Sequence, residues 1–165
     1  MNLYNLHSNP EELHGFDIAP YKIPTIAYEL AKKNPDLRPK LEPAIMKHSR
    51  YAYLYAKFVL NRPWPEAEPY IMKDAGYAYW YTKLFLKRPW PEAEPTIMKD
   101  PYHATVYAAD VLKRRWSEAE PYIMKDPQWA YWYVRRVLKR RWPEAEPYIM
   151  KDPIWWNIYK KAFKL

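Results

Sequence analysis

The chain has 165 residues, 49% of them apolar and 18% aromatic, which is too rich in core-forming side chains for a disordered segment and enough for one ordinary domain. With 18 prolines against 2 glycines little is available for irregular loops, and the lack of cysteine excludes disulfide staples and thiolate zinc sites. A net charge of +8 admits nucleic acid or an acidic partner, but charge speaks to association and not to fold.

In chain order, the opening MNLYNLHSNPEELHGFD lacks a basic start followed by an apolar core. No run in the chain approaches the roughly 18 apolar residues of a membrane span. These features predict a protein of the cytoplasm that does not engage a membrane. Residues 1–44 read as an amino-terminal cap and degenerate first repeat, in which IAYELAKKNPDLRPKLEPAIMK shadows AYLYAKFVLNRPWPEAEPYIMK.

Residues 45–152 are a tandem array. The string Ile-Met-Lys-Asp, or a near copy, begins at Ile45, Ile71, Ile97, Ile123 and Ile149, with a period of 26 residues. Each unit predicts two helices. Helix A starts where Asp100, Asp126 and Asp152 precede Pro101, Pro127 and Pro153, a capping carboxylate followed by proline at the first helical position. Its apolar positions have helical spacing, as in Ala52, Tyr55, Ala56 and Val59. A second apolar row (Tyr51, Leu54, Tyr77, Trp80, Trp129, Trp132) is expected to lie beneath the neighbouring repeats. Helix B runs from about Pro65 to Lys73; its second proline, Pro69, predicts a 3₁₀ or kinked first turn, and Ser117 with Glu120 has capping-box spacing. Residues 153–165 form a lone capping helix whose lysines Lys160, Lys161 and Lys164 can keep its outer side wet. A two-helix unit this short cannot bury its own faces. The fold class is therefore all-α, an α-solenoid of tandem 26-residue two-helix repeats with a degenerate amino-terminal cap and a carboxy-terminal capping helix.

The strings RWPEAEPYIMKDP and AYWYVRRVLKRRWPEAE, within residues 20–165, resemble the tandem-repeat proteins of tailed phages, and SNPEELHGFDIAPYKIP resembles their leader. The resemblance implies a viral protein acting inside a bacterial host.

The residue inventory argues against catalysis. Three serines and four histidines show no nucleophile-and-base spacing, and two isolated glycines cannot form a phosphate-cradling loop. No cofactor and no metal are expected. The glutamate pairs, such as Glu66 with Glu68, fall in the first turn of helix B, where carboxylates favour the helix dipole, and Arg62, Arg88, Arg114 and Arg140 end helix A, where cations do. The tryptophans Trp64, Trp90, Trp116 and Trp142 and the tyrosines Tyr55, Tyr81, Tyr107, Tyr133 and Tyr159 suit core packing better than base stacking. His103 stands where other copies carry Tyr51, Tyr77 and Trp129, and reads as a packed or rim residue.

What remains is an aromatic and basic stripe on helix A: Tyr53 and Lys57, then Tyr79, Lys83 and Lys87, then Tyr131, Arg135 and Lys139. The third copy breaks it with Thr105 and Ala109. Arg136, Arg140 and Arg141 extend a basic far end. These residues are the candidate binding surface. They suit a protein partner inside the cell, with inhibition of a host system as one outcome; the alternative is sequence-tolerant nucleic-acid binding. The oligomeric state is open.

Overall fold

The computed structural model describes residues 22–165, so the readings made on the opening segment, its phage-like leader among them, lie outside the described residues. The expected all-α solenoid is present. A leading unit pairs α1 (Pro24–Lys33) with α2 (Arg38–Met46). Four full repeats follow: α3 (Ser49–Tyr55) with α4 (Glu68–Ile71), α5 (Ala75–Tyr81) with α6 (Glu94–Ile97), α7 (Pro101–Tyr107) with α8 (Glu120–Ile123), and α9 (Pro127–Tyr133) with α10 (Glu146–Ile149). Helix α11 (Pro153–Phe163) comes last. Each helix packs on its neighbours in sequence, and each helix A lies against the helix A of the next unit. No described helix is long and apolar enough to cross a membrane.

Local chemistry explains the boundaries. Asp74, Asp100, Asp126 and Asp152 each accept a hydrogen bond from a backbone N–H in the first turn of the following helix A. In the first repeat helix B opens with a 3₁₀ turn, Pro65–Ala67, before its α-helical part, so Pro69 and its counterparts fall in a first turn where a missing N–H is tolerated. The capping box at Ser117 does not form: Ala119 caps α8 without a side-chain bond, and the Glu120 carboxylate is held elsewhere.

The carboxy-terminal half of each full helix A departs from the α form. Residues Ala56–Leu60, Thr82–Leu86, Ala108–Leu112 and Val134–Leu138 are π-helical, and each segment ends on a left-handed residue: Asn61, Lys87, Lys113 or Lys139. The leading unit has no such segment, and its helix B has nine residues instead of four.

The core is built in columns at the 26-residue spacing. Ala52, Ala78, Ala104 and Ala130 are fully buried where successive A helices approach, and Ala56, Thr82, Ala108 and Val134 form a second small, buried column. In α11 these columns become Trp156 and Lys160, side chains too large for the same seam. Trp64, Trp90, Trp116 and Trp142 are buried, as are Tyr55, Tyr81, Tyr107, Tyr133 and Tyr159.

Within the second small column, the Thr82 hydroxyl is buried without a hydrogen-bond partner. A desolvated, unpaired hydroxyl opposes folding, and valine already fills this column at Val134. Thr82→Val is expected to raise the unfolding free energy by about 1 kcal/mol in urea titrations; a loss of stability would mean that the hydroxyl is paired.

Candidate functional site

The buried tyrosines staple each repeat to the next. Tyr81 lies on α5 and reaches back to the loop of the preceding repeat, where its Oη accepts from the Trp64 N–H at 2.7 Å and donates to the Glu68 carboxylate at 2.9 Å. The same pair of bonds joins Tyr107 to Trp90 and Glu94, Tyr133 to Trp116 and Glu120, and Tyr159 to Trp142 and Glu146. Burial pushes these phenols well above the usual tyrosine range, and the neighbouring glutamates push the same way. The two glutamates of each pair therefore have different duties. Glu66 and its counterparts are exposed at the start of helix B, whereas Glu68 and its counterparts accept from a core tyrosine.

In the last two full repeats an arginine joins this acceptor. Arg115 grips Glu120 with two bonds of 2.7 and 2.6 Å, and Arg141 grips Glu146 at 3.0 and 2.9 Å; earlier repeats carry Pro63 and Pro89 at that position. Arg141, expected on the binding surface, is thus held internally. Its hydrogen bond keeps the Glu146 carboxyl below the usual carboxylate range against the opposing pull of burial, with Tyr159 helping.

The helix A stripe is also rearranged by packing. Tyr53 and Tyr79 are 6% and 2% exposed and line the seam between adjacent A helices, facing Tyr77 and His103 with ring centroids 5.6 and 6.2 Å apart. Tyr131 is half-buried between Trp132 and Trp155. None of the three is a free stacking platform. Lys87 and Lys139 are the left-handed caps described above. Thr105, in the repeat that breaks the stripe, is fully buried and directs its hydroxyl at the Trp129 carbonyl, 3.5 Å away. His103 is half-buried, bonded to the capping Asp100, and packed over Gly76, where an added Cβ would sit 3.1 Å from Nε2. No group of residues able to hold a metal occurs among the described residues.

Asp110 organises the middle of the array. Its carboxylate accepts from Tyr79 Oη at 2.7 Å and Lys83 Nζ at 2.8 Å on the preceding repeat, and from Arg136 at 2.8 Å on the following one. Burial pulls its pKa up, but the Lys83 and Tyr79 hydrogen bonds and the Arg136 charge outweigh that and hold it below the usual value. Lys83 and Arg136, expected as free cations, are engaged here. Both Asp110 and Glu146 have depressed folded-state pKa values, so their contribution is present above the unfolded pKa and is lost as pH falls through the folded one. Thermal stability is expected to fall below about pH 4, and less so in an Asp110→Asn, Glu146→Gln variant followed by circular dichroism; an undiminished acid slope in that variant would contradict this assignment.

The exposed face of helix A is carried by other side chains. Phe58, Trp80, Leu84 and Trp132 are 62, 44, 41 and 39% exposed, in two columns that begin at Leu54 and Phe58. Trp80 and Trp132, expected under neighbouring repeats, face outward. Around them lie Lys57, whose Nζ sits 4.8 Å from the Phe58 ring centroid, Lys83, 5.6 Å from that of Trp80, and exposed Arg135 and Arg136. A separate edge follows the carboxy-terminal ends of the A helices. There Arg62, Lys87, Arg88, Lys113, Arg114, Lys139 and Arg140 are exposed and form no ion pair among the described residues. The mismatch has a simple origin: consecutive helical residues point 100° apart, so a face read one position early becomes a seam.

No family model, curated protein or solved structure matches this chain.

Proposed function

We propose that the chain is a non-enzymatic helical-repeat interaction module that binds a protein on the outer face of its A helices. The observation behind this reading is the exposure of Phe58, Trp80, Leu84 and Trp132 on the first, second and fourth full repeats. Large aromatic and aliphatic side chains at repeated positions, rimmed by cations, have the make-up of interface anchors. The rim of Lys57, Lys83, Arg135 and Arg136 suits an apolar patch bordered by carboxylates on the partner. On this reading the partner is a host or phage protein in an infected bacterial cytoplasm, as the resemblance of the repeat strings to phage proteins implies, with inhibition of a host system as one outcome.

The test begins with capture of a partner by the tagged protein from host lysate, its identification by mass spectrometry, and measurement with the purified pair. Trp80→Ala with Trp132→Ala should weaken binding by 2 kcal/mol or more, roughly 30-fold, while Lys73→Ala with Lys125→Ala in the turns after helix B should change little. Equal affinity for all three proteins would remove this face as the site. The second reading, sequence-tolerant nucleic-acid binding, is favoured by the seven cations along the helix A ends. Its gel shifts with short single- and double-stranded RNA and DNA would weaken steeply with salt; no shift at low salt would end it.

A further inference from the structure

The repeat that breaks the pattern also opens a groove. Successive A helices face each other across positions that pair Lys57 with Leu84, then Lys83 with Asp110, then Ala109 with Arg136. In the second of these the lysine and the aspartate close the gap with a 2.8 Å ion pair. In the third, alanine stands where the other full repeats carry lysine or arginine, and a cavity of about 180 Å³ remains, lined by Ala108, Ala109, Lys113, Arg114, Arg136, Val137 and Lys139. That is many times the roughly 10–15 Å³ that a single water requires.

We propose that this groove, between the third and fourth full repeats, is a binding site for a phosphate group. Four cationic side chains line it and no carboxylate does. Asp110 takes one bond from Arg136 from outside the lining, and Arg114 spends one donor on the Arg115 carbonyl. Each guanidinium has five donors, so both keep several for a ligand, and the ammoniums of Lys113 and Lys139 meet no carboxylate among the described residues. Two helix carboxy-terminal ends bring about half a negative charge each to this edge. They offset about one of the four positive charges, because Asp110 already pairs with Lys83 outside the groove, and the surplus suits a multiply charged phosphate such as pyrophosphate. Two planar guanidinium forks beside two ammoniums also suit a tetrahedral anion with several acceptor oxygens better than one carboxylate, which a single fork satisfies. The site shares Arg136 with the rim of the protein-docking face but differs from it in depending on a gap at Ala109 and on no exposed aromatic.

Calorimetric titration with pyrophosphate at constant ionic strength tests the site, with an eight-residue oligothymidylate as the second probe. The expected result is one ligand per chain with sub-millimolar affinity. Ala109→Leu fills the groove without changing charge, at a position where other repeats accommodate lysine, and should weaken binding about tenfold or more, equivalent to about 1.4 kcal/mol. Arg136→Gln should do the same, and Arg88→Gln, which removes an identical charge one repeat away from Arg114, should have no effect. Pyrophosphate binding that obeys this pattern assigns the site to a small phosphate ligand. Oligothymidylate binding alone, with the same pattern, assigns it to a nucleic-acid backbone. No binding of either probe, several ligands per chain, or equal weakening by Arg88→Gln and Ala109→Leu would overturn the proposal.

Discussion

Tyr107→Phe is expected to lower the unfolding free energy by about 2 kcal/mol, and Tyr107→Ala by about 3–5 kcal/mol, as read from urea titrations. The phenol is fully buried, and its oxygen is the acceptor for the buried Trp90 N–H and the donor to Glu94. Phenylalanine keeps the ring but strands that N–H without a partner, which accounts for the smaller loss. Alanine also leaves a cavity between the second and third full repeats. In a solenoid, stability is the sum of intrinsic repeat terms and nearest-neighbour interface terms, and the staple belongs to the interface. Tyr107→Ala should therefore broaden or split the transition, with amide exchange accelerating on both sides of the broken seam. A single sharp transition of unchanged midpoint would refute the staple.

The same column sets the alkaline limit. Tyr55, Tyr81, Tyr107, Tyr133 and Tyr159 have raised folded-state pKa values, dominated by burial, so their stabilising effect is full below the unfolded tyrosine pKa and is lost as pH rises above about 10. Each phenol that ionises only in the unfolded chain adds a slope of up to about 1.4 kcal/mol per pH unit, so the column acts together. Absorbance near 295 nm should show the stapled tyrosines ionising only when helical structure disappears. Ionisation of the full set before unfolding would contradict the burial of the column.

The second large effect is a gain. Replacing Lys87, Lys113 and Lys139 together by glycine should stabilise the chain by about 2 kcal/mol in sum. Their φ values of 53, 53 and 56° place L-residues in the left-handed region, which costs roughly 1–2 kcal/mol each, while the greater unfolded-state freedom of glycine offsets part of the gain. The three sites lie in different repeats, so their effects should add. For a chain of this size the melting temperature should rise by about 5 °C. Lys113→Val should do the reverse, because a β-branched side chain fits this region worst. Asn61→Gly should gain less, since asparagine already tolerates the conformation. A triple variant less stable than the parent would show that the lysine side chains hold these ends by other contacts.

Much of the architecture was legible from residues alone, because it is local or strictly periodic. The 26-residue spacing gives the repeat; Asp100-Pro101 and its copies mark where the last three A-type helices begin; Pro65 and Pro69 predict the tight start of helix B. The burial of Trp64, Tyr55 and their columns follows from identical residues at identical positions, each needing the same packed surroundings. Three features were decided only in the folded chain. The staple from Tyr107 to Trp90 spans 17 residues and the bridge from Asp110 to Tyr79 spans 31, so neither leaves a helical period to detect. The π-helical segments change the pitch midway along each helix A, which the side-chain period of a straight α-helix does not anticipate; Lys57 nonetheless stays over the Tyr53 ring, 5.8 Å from its centroid. Which flank of helix A meets its neighbour also depends on how repeats stack. That stacking placed Tyr53 and Tyr79 in the seam and left Phe58, Trp80, Leu84 and Trp132 facing outward, because only the relative position of two helices determines which of their sides are covered.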